Sequence, residues 1–278
     1  MPQPPLQNPF TYQLSIAFRP LLCYTITDPY NKGAINMQIE TPSKEKIWEM
    51  FNHICQTYDQ VNRAMTGGLD QRWRKQVARL LPKKNGLSLL DCATGTADQI
   101  LSIMKHTSCV QEAVGIDLAD QMLAIGKKKI QATPYAQKIQ LIHASALDIP
   151  FPDDTFDCVT MSFGIRNVTC PTRCLQEIYR VLKPSGRVLI LESSIPSHPM
   201  IKQMHKIYLR QILPRLGGWL SDKKEAYIYL NQTIETFPSG KQFLSLLEST
   251  HFIETKMYPL LFGAVTIYQG DKVKGDLE

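Results

Sequence analysis

The segment DCATGTAD at residues 91–98 sets one glycine, Gly95, between two carboxylates, Asp91 and Asp98. A third acid, Asp117, ends the next apolar run, at about the 20-residue separation from the glycine at which an acid meets ribose hydroxyls. A loop that cradles a diphosphate needs G-x-G-x-x-G, so that backbone amides reach the phosphate oxygens. Only Gly95 is present, and the flanking carboxylates would repel a diphosphate. They suit a nucleoside that lacks phosphate and carries positive charge. S-adenosylmethionine has that chemistry, with a sulfonium and an ammonium. Asp91 and Asp117 could instead only cap the helices that follow them. Placed together at adjacent strand ends around a glycine, they favour the nucleoside.

A second constellation is SFGIRNV at 162–168, which runs straight out of the apolar stretch FDCVTM. An arginine stays protonated in proteins and is a poor base, but it stabilises a developing anion and can orient a water. Arg166 therefore offers electrostatic catalysis, and Asn167 beside it offers an amide donor. The alternative is that Arg166 anchors the fold by pairing with Asp59 or another acid. Tyr58 and Asn62 lie one helical turn apart and share a face, from which both can close over a substrate. His53 on the same segment is assigned a structural role. No residue stands out as the general base.

These residues need a scaffold. Ile47, Phe51, Ile54 and Tyr58 recur at helical spacing, which predicts a helix over 43–58. Gly67-Gly68 breaks the chain before a second helix at 70–81. Strands are expected at 87–92, 113–117, 139–143, 156–163 and 187–192, with helices at 97–106, 119–131 and 171–182 between them. The segment Lys183-Pro184-Ser185-Gly186 reads as a turn. Residues 196–232 form a helical insertion rich in aromatics, including Tyr208, Trp219, Tyr227 and Tyr229. A helix near 240–250 and strands at 252–258 and 262–268 close the chain. The fold class is α/β: a doubly wound, mostly parallel, seven-stranded Rossmann-like sheet with an antiparallel C-terminal hairpin.

Composition narrows the partners. The 278 residues are 44% hydrophobic and 20% charged, as in an ordinary globular protein, with a net charge of +6. The basic residues are dispersed, which argues against nucleic acid and for mild attraction to an anionic surface. Seven cysteines without a C-x-x-C pair point to a reducing, cytoplasmic setting, and no metal ligand set is expected. No run reaches the roughly 18 apolar residues of a membrane span, since Arg19 and Pro20 interrupt residues 14–26. Residues 1–42 read as a poorly ordered extension ahead of a single domain at 43–278.

Over nearly all of residues 43–270 the sequence resembles the C-methyltransferases of ubiquinone and menaquinone biosynthesis, within the class I S-adenosylmethionine-dependent fold. The resemblance rests on YDQVN at 58–62, LLDCATGTAD, VGIDLADQML, IPFPDDTFD, SFGIRNVT, RVLKPSGRVLILESSIP and ILPRLG. It implies that Gly95 and Thr96 line the methionine end of the cofactor and that Asp117 holds its ribose. Ser145 and Ala146 then meet the adenine edge, and Ser162 lies beneath the sulfonium. It further implies a polyprenyl quinol substrate, demethylmenaquinol before a benzoquinol, whose phenolate Arg166 would stabilise while Asn167 donates to the second oxygen. The insertion, with Met200, Met204, Ile207, Tyr208, Ile212 and Trp219, is either a wall for the prenyl tail or plain core. Transient contact with the inner membrane surface follows from such a substrate, and a homodimer stays open. Ala97, Ser145 and Tyr268 depart from the family pattern. A non-catalytic cofactor-binding subunit is the competing class, and the presence of Tyr58, Arg166 and Asn167 argues against it.

Overall fold

Strand and helix alternate from Leu87 onward because short apolar runs are separated by amphipathic segments at helical spacing. The computed structural model describes residues 44–212 and 224–274. The expected extension at 1–42 and Trp219 lie outside them, as does the side chain of Tyr227. The strands are β1 (Leu87–Cys92), β2 (Val110–Asp117), β3 (Ile139–His143), β4 (Phe156–Ser162), β5 (Leu182–Ser193), β6 (Ile253–Leu260) and β7 (Val265–Asp271). They form one sheet in the order β3-β2-β1-β4-β5-β7-β6. The first five are mutually parallel, while β7 runs antiparallel to both β5 and β6. Every residue of β1 is buried, as expected of a parallel strand covered on both faces.

The helices are α1 (Ile47–Thr66), α2 (Leu69–Arg79), α3 (Asp98–His106), α4 (Asp120–Gln131), α5 (Pro171–Val181), α6 (Pro199–Ile207), α7 (Lys224–Thr236) and α8 (Lys241–Ser249). Helix α1 outruns its expected end at residue 58, because Val61 and Met65 continue the apolar stripe until Gly67 turns the chain left-handed at φ 57°. The expected turn at 183–186 is absorbed into β5. Phe156 pairs with Leu182 and Cys158 with Arg187, so this segment bulges out of the ladder, with Ser185 at φ 62°.

Strand order reverses between β1 and β4, and ligands sit beyond the carboxyl ends of strands at such a point. The register makes those ends level, since Cys92 pairs with both Ile116 and Met161. At the opposite end, Asp157 ties β4 to β1. It accepts from the Ser88 amide and hydroxyl and pairs with Lys84 and Lys183, both at 2.8 Å. Burial alone would raise its carboxyl, but the two ammonium groups and Ser88 outweigh it and hold the group below the usual carboxylate range.

The loop after β1 departs from ideal geometry. Ala93 and Ala97 both have positive φ, at 50° and 65°. A left-handed residue bearing a Cβ costs roughly 1–2 kcal/mol. At Ala97 the methyl is wholly buried, so glycine there would trade strain for lost packing. At the half-buried Ala93, glycine is expected to raise stability by up to about 1 kcal/mol and the melting temperature by a few degrees. Thermal unfolding of the Ala93→Gly variant beside the parent chain measures this; an unchanged or lower midpoint would contradict it.

Candidate active site

The level strand ends open onto two cavities. The smaller, of about 350 Å³, is bordered by Gly95, Asp117, Ser145, Ala146 and Ser162, with Ile47, Trp48 and Phe51 of α1 across from them. The Asp117 carboxylate accepts from the amides of Gly95 at 2.8 Å and Ala119 at 2.9 Å, which fixes it at the end of β2. Burial raises its carboxyl and these backbone donors oppose the rise. Ser145 Oγ accepts from the Leu147 amide. The Ser162 hydroxyl donates to Gln99, whose amide reaches the carbonyl of Arg74 on α2. A side chain at Gly95 would meet nothing within 4 Å, so the position is open space at φ 55°.

Two expected cofactor contacts are placed differently. Asp91 does not border the cavity. Its oxygens take the hydroxyls of Thr94 at 2.7 Å and Thr160 at 2.6 Å inside the sheet, and burial pushes its carboxyl up to about 6. Thr96 also turns its side chain away, donating to Asp59 at 2.7 Å. Lys129 pairs with Asp59 and Asp98, and Arg63 with Asp98 and Asp70. Burial would raise Asp98, but Lys129, Arg74 and Arg63 hold it below its ordinary value. The acids that flank Gly95 are thus bound within the protein. Both Asp91 and Thr96 shape the loop from behind.

The wall between the cavities is Phe163, which borders both. Its backbone is left-handed at φ 57°. Its ring packs on Trp73 at 6.3 Å and lies 5.7 Å beneath the Arg74 guanidinium. Gly164 follows because a Cβ there would meet Ala93 Cβ at 2.7 Å. Arg166 Nη1 then donates to the Phe163 carbonyl at 2.8 Å and to Glu192 at 2.6 Å, while Asn167 Nδ2 reaches the same carbonyl at 3.3 Å. The acid on Arg166 is therefore Glu192; Asp59 is held by Thr96 and Lys129. Asn167 is oriented with its amide nitrogen used and its oxygen unpartnered, so it presents an acceptor where a donor was expected.

The larger cavity, of about 580 Å³, is bordered by Tyr58, Asn62, Arg74, Arg166, His205 and Tyr208 within a mostly apolar lining that also includes Thr66, Ser193 and Asp70, the last paired with Arg63. Burial raises the Tyr58 hydroxyl against the pull of Arg166, so it stays neutral and can donate. A third cavity of about 60 Å³ is bordered by Arg166, Asn167 and Tyr229, which carry three buried polar atoms, Nε, Oδ1 and the hydroxyl, with no partner among the described residues. Its size and polarity suit a bound water. The insertion divides: Met204 and Tyr208 border the larger cavity, whereas Met200, Ile207 and Ile212 face outward.

Two residues escaped the sequence reading. Arg74 stands one turn from Asp70 on the inner face of α2, a phase that helical spacing from Trp73 and Val77 would have revealed. His205 borders the larger cavity with Nδ1 unpartnered, and burial lowers its pKa against the pull of Glu235. It is therefore a neutral imidazole able to take a proton.

Comparison with known proteins accords with this geometry. A model of the ubiE/COQ5 methyltransferase family matches residues 39–272. The chain is 41% identical over 238 residues to the ubiquinone/menaquinone biosynthesis C-methyltransferase UbiE of Geobacter sulfurreducens, spanning 86% of this chain and 93% of that one. It is 35% identical over 233 residues to a demethylmenaquinone methyltransferase of Porphyromonas gingivalis, spanning 84% and 95%. Among solved structures, an S-adenosylmethionine-dependent methyltransferase of Thermotoga maritima aligns at TM-score 0.58 and 18% identity over 81% of this chain and 99% of that one. Phosphoethanolamine N-methyltransferase 2 of Haemonchus contortus, bound to S-adenosylhomocysteine, aligns at TM-score 0.60 and 14% identity, covering 84% and 61%. At these identities the structures speak for the fold.

Asp91 gives a pH test. Its folded pKa, about 6, lies above the ordinary 3.8, so the folded state holds its proton more tightly. That contribution favours folding at acid pH and is lost as pH rises toward and past 6. Asp91→Asn should therefore gain stability relative to the parent by about 1 kcal/mol between pH 5 and pH 8. Urea unfolding at both pH values measures the difference, and a constant offset would refute the assignment.

Proposed function

The chain belongs to the ubiE/COQ5 methyltransferase family, and from that premise we propose that it methylates a ring carbon of a polyprenylated quinol with S-adenosylmethionine as donor. Demethylmenaquinol is the foremost substrate. The observation that carries this reading is the junction of two cavities at Phe163 and Tyr58, one bordered by Asp117, Ser145 and Ser162 and the other largely apolar with two arginines, Arg74 and Arg166.

The smaller cavity fits the donor. Asp117 presents a fixed carboxylate for ribose hydroxyls, Gly95 leaves open space, and Ser145 and Ser162 border the same cavity. When bound, S-adenosylmethionine supplies an electrophilic methyl group on a sulfonium. The residues of the larger cavity must make the ring carbon nucleophilic. Loss of a quinol hydroxyl proton moves charge onto the adjacent carbon. The proton passes to His205, the neutral base bordering the cavity, and from there to water. Arg166 and Arg74 stabilise the phenolate, and the neutral Tyr58 hydroxyl donates to it. Once the carbon–methyl bond forms, the ring carbon gives up its own proton to water, which restores the aromatic ring as a phenolate, and the phenolate oxygen takes one proton back. One proton is released to solvent per methyl group transferred. Phe163 and Tyr58 border both cavities and so flank the junction at which the methyl group and the ring carbon must come into direct contact, which serves positioning.

Arg166 holds the fold through Nη1 and Glu192 while Nη2 has no partner among the described residues. Arg166→Ala should therefore lose rate and stability together, about a hundredfold to a thousandfold in kcat and about 3–5 kcal/mol from the orphaned Glu192. A paired Arg166→Met and Glu192→Gln change should restore the melting temperature but not the turnover. Full turnover in that stable double variant would remove Arg166 from the chemistry.

His205→Gln should lower kcat about a hundredfold or more. Because the neutral imidazole is the active form, the parent's kcat should fall with acid only below the ordinary histidine range, and this limb should vanish in the variant. A pH–rate profile with labelled donor decides it; an unchanged acid limb would exclude His205. The same assay with reduced naphthoquinol and benzoquinol precursors identifies the ring, and no label transfer to either would overturn the function.

A further inference from the structure

The connection between β6 and β7 is costly in two ways at once. Leu261, Phe262 and Gly263 are all left-handed, at φ 44°, 55° and 89°, although two of them carry side chains. Such conformations cost of order 1–3 kcal/mol each and persist where the surrounding structure imposes them. The same turn leaves Leu261 47% and Phe262 79% exposed. Strain and exposure of large apolar groups together call for something that covers them.

Helix α6 continues this surface. Met200, Met204 and Ile207 follow one another at helical spacing and are 66%, 64% and 42% exposed. Met204, Leu261 and Phe262 also border the larger cavity, so the apolar stripe begins at its rim. On the same helix, Lys202 and Lys206 have no ion pair among the described residues; Glu235, whose carboxyl Lys206 helps to lower, is bound by Arg210. An apolar stripe flanked by free lysines is the makeup of an element that lies in a bilayer interface with its cations toward anionic headgroups.

We propose that the β6–β7 turn and the outer face of α6 form a wedge that enters the acyl boundary of an anionic bilayer, so that the larger cavity opens toward the membrane. The occupant of this face is the lipid surface. The proposal rests on the quinol reading for its purpose, since a prenylated ring resides in the bilayer, but its physical content is tested without any quinol.

Flotation of the full chain with vesicles of phosphatidylcholine alone, or with one quarter phosphatidylglycerol, gives the test. The parent chain is expected to float with the anionic vesicles. Phe262→Ser, and separately Met200→Ser with Ile207→Ser, should each lower the partition coefficient about tenfold or more. Lys202→Gln with Lys206→Gln should lower it about tenfold on anionic vesicles only. Met200 and Ile207 do not border the cavity, so their double variant should keep its turnover on a short-tailed, water-soluble quinol while losing it on the long-tailed one in vesicles. Serine variants that float like the parent would overturn the wedge. So would a parent chain that ignores vesicles and is a dimer which Met200→Ser with Ile207→Ser converts to monomer, because the face would then be covered by a second copy. Vesicle binding without methyl transfer to any quinol would leave the wedge standing and sink the substrate instead.

Discussion

The backbone of Phe163 is the constraint from which the site follows. By turning left-handed at the end of β4 it aims one carbonyl at two side chains, Arg166 and Asn167, and one ring at the boundary between two cavities. A bulky residue with positive φ is unfavourable on its own, and its neighbours hold it there. Its amide donates to Leu191, its ring packs on Trp73 and Arg74, and Gly164 leaves room for Ala93. Relaxing the turn would release the guanidinium, the amide and the partition together.

The electrostatic pattern is divided across that partition. On one side acceptors predominate, with Asp117 fixed by backbone donors and Asn167 Oδ1 unpartnered. On the other, Arg74 and Arg166 border a mostly apolar lining whose acid, Asp70, is already paired with Arg63. Both signs are held by rigid elements, so little reorganisation is needed when charge moves from a ring oxygen to a ring carbon. Glu192, wholly buried, neutralises part of Arg166 and leaves the rest directed at the cavity. The arginine is anchor and electrostatic group at once, and the two roles use different nitrogens.

Much of this was legible in the residue order. The strand and helix rhythm foretold the sheet, including the terminal hairpin, because the central strands β1 and β4 and the second half of β5 are short, largely apolar and buried runs. Gly95, Asp117, Ser145, Ala146 and Ser162 do border one cavity, since strand ends in such a sheet face a common crevice. What the order could not convey was side-chain direction within the loop. Asp91 and Thr96 stand beside Gly95 in sequence, yet a loop with two left-handed alanines turns them inward, toward Thr160 and Asp59. Arg74 and His205 were missed for a related reason. Helical spacing shows that Arg74 shares the inner face of its helix, but that this face, like that of His205, meets a cavity follows only from tertiary packing. The segment KPSG announced a turn correctly as local chemistry, but pairing on both sides carried β5 straight through it.

Helix α1 contributes Ile47, Trp48 and Phe51 to one cavity, Asn62 and Met65 to the other, and Tyr58 to both. Twenty residues make it a rod about 30 Å long. A rod bordering two chambers cannot be seated over one of them independently of the other. Whichever ligand arrives first settles its position, and the second binds to an element already ordered. Linkage then makes the effect mutual, each ligand tightening the other by the same factor through the helix, in addition to any direct contact between them. Spent donor and methylated ring would hold one another by that coupling as well, which places the lifting of α1, and not the making of the carbon–methyl bond, among the steps that can limit turnover.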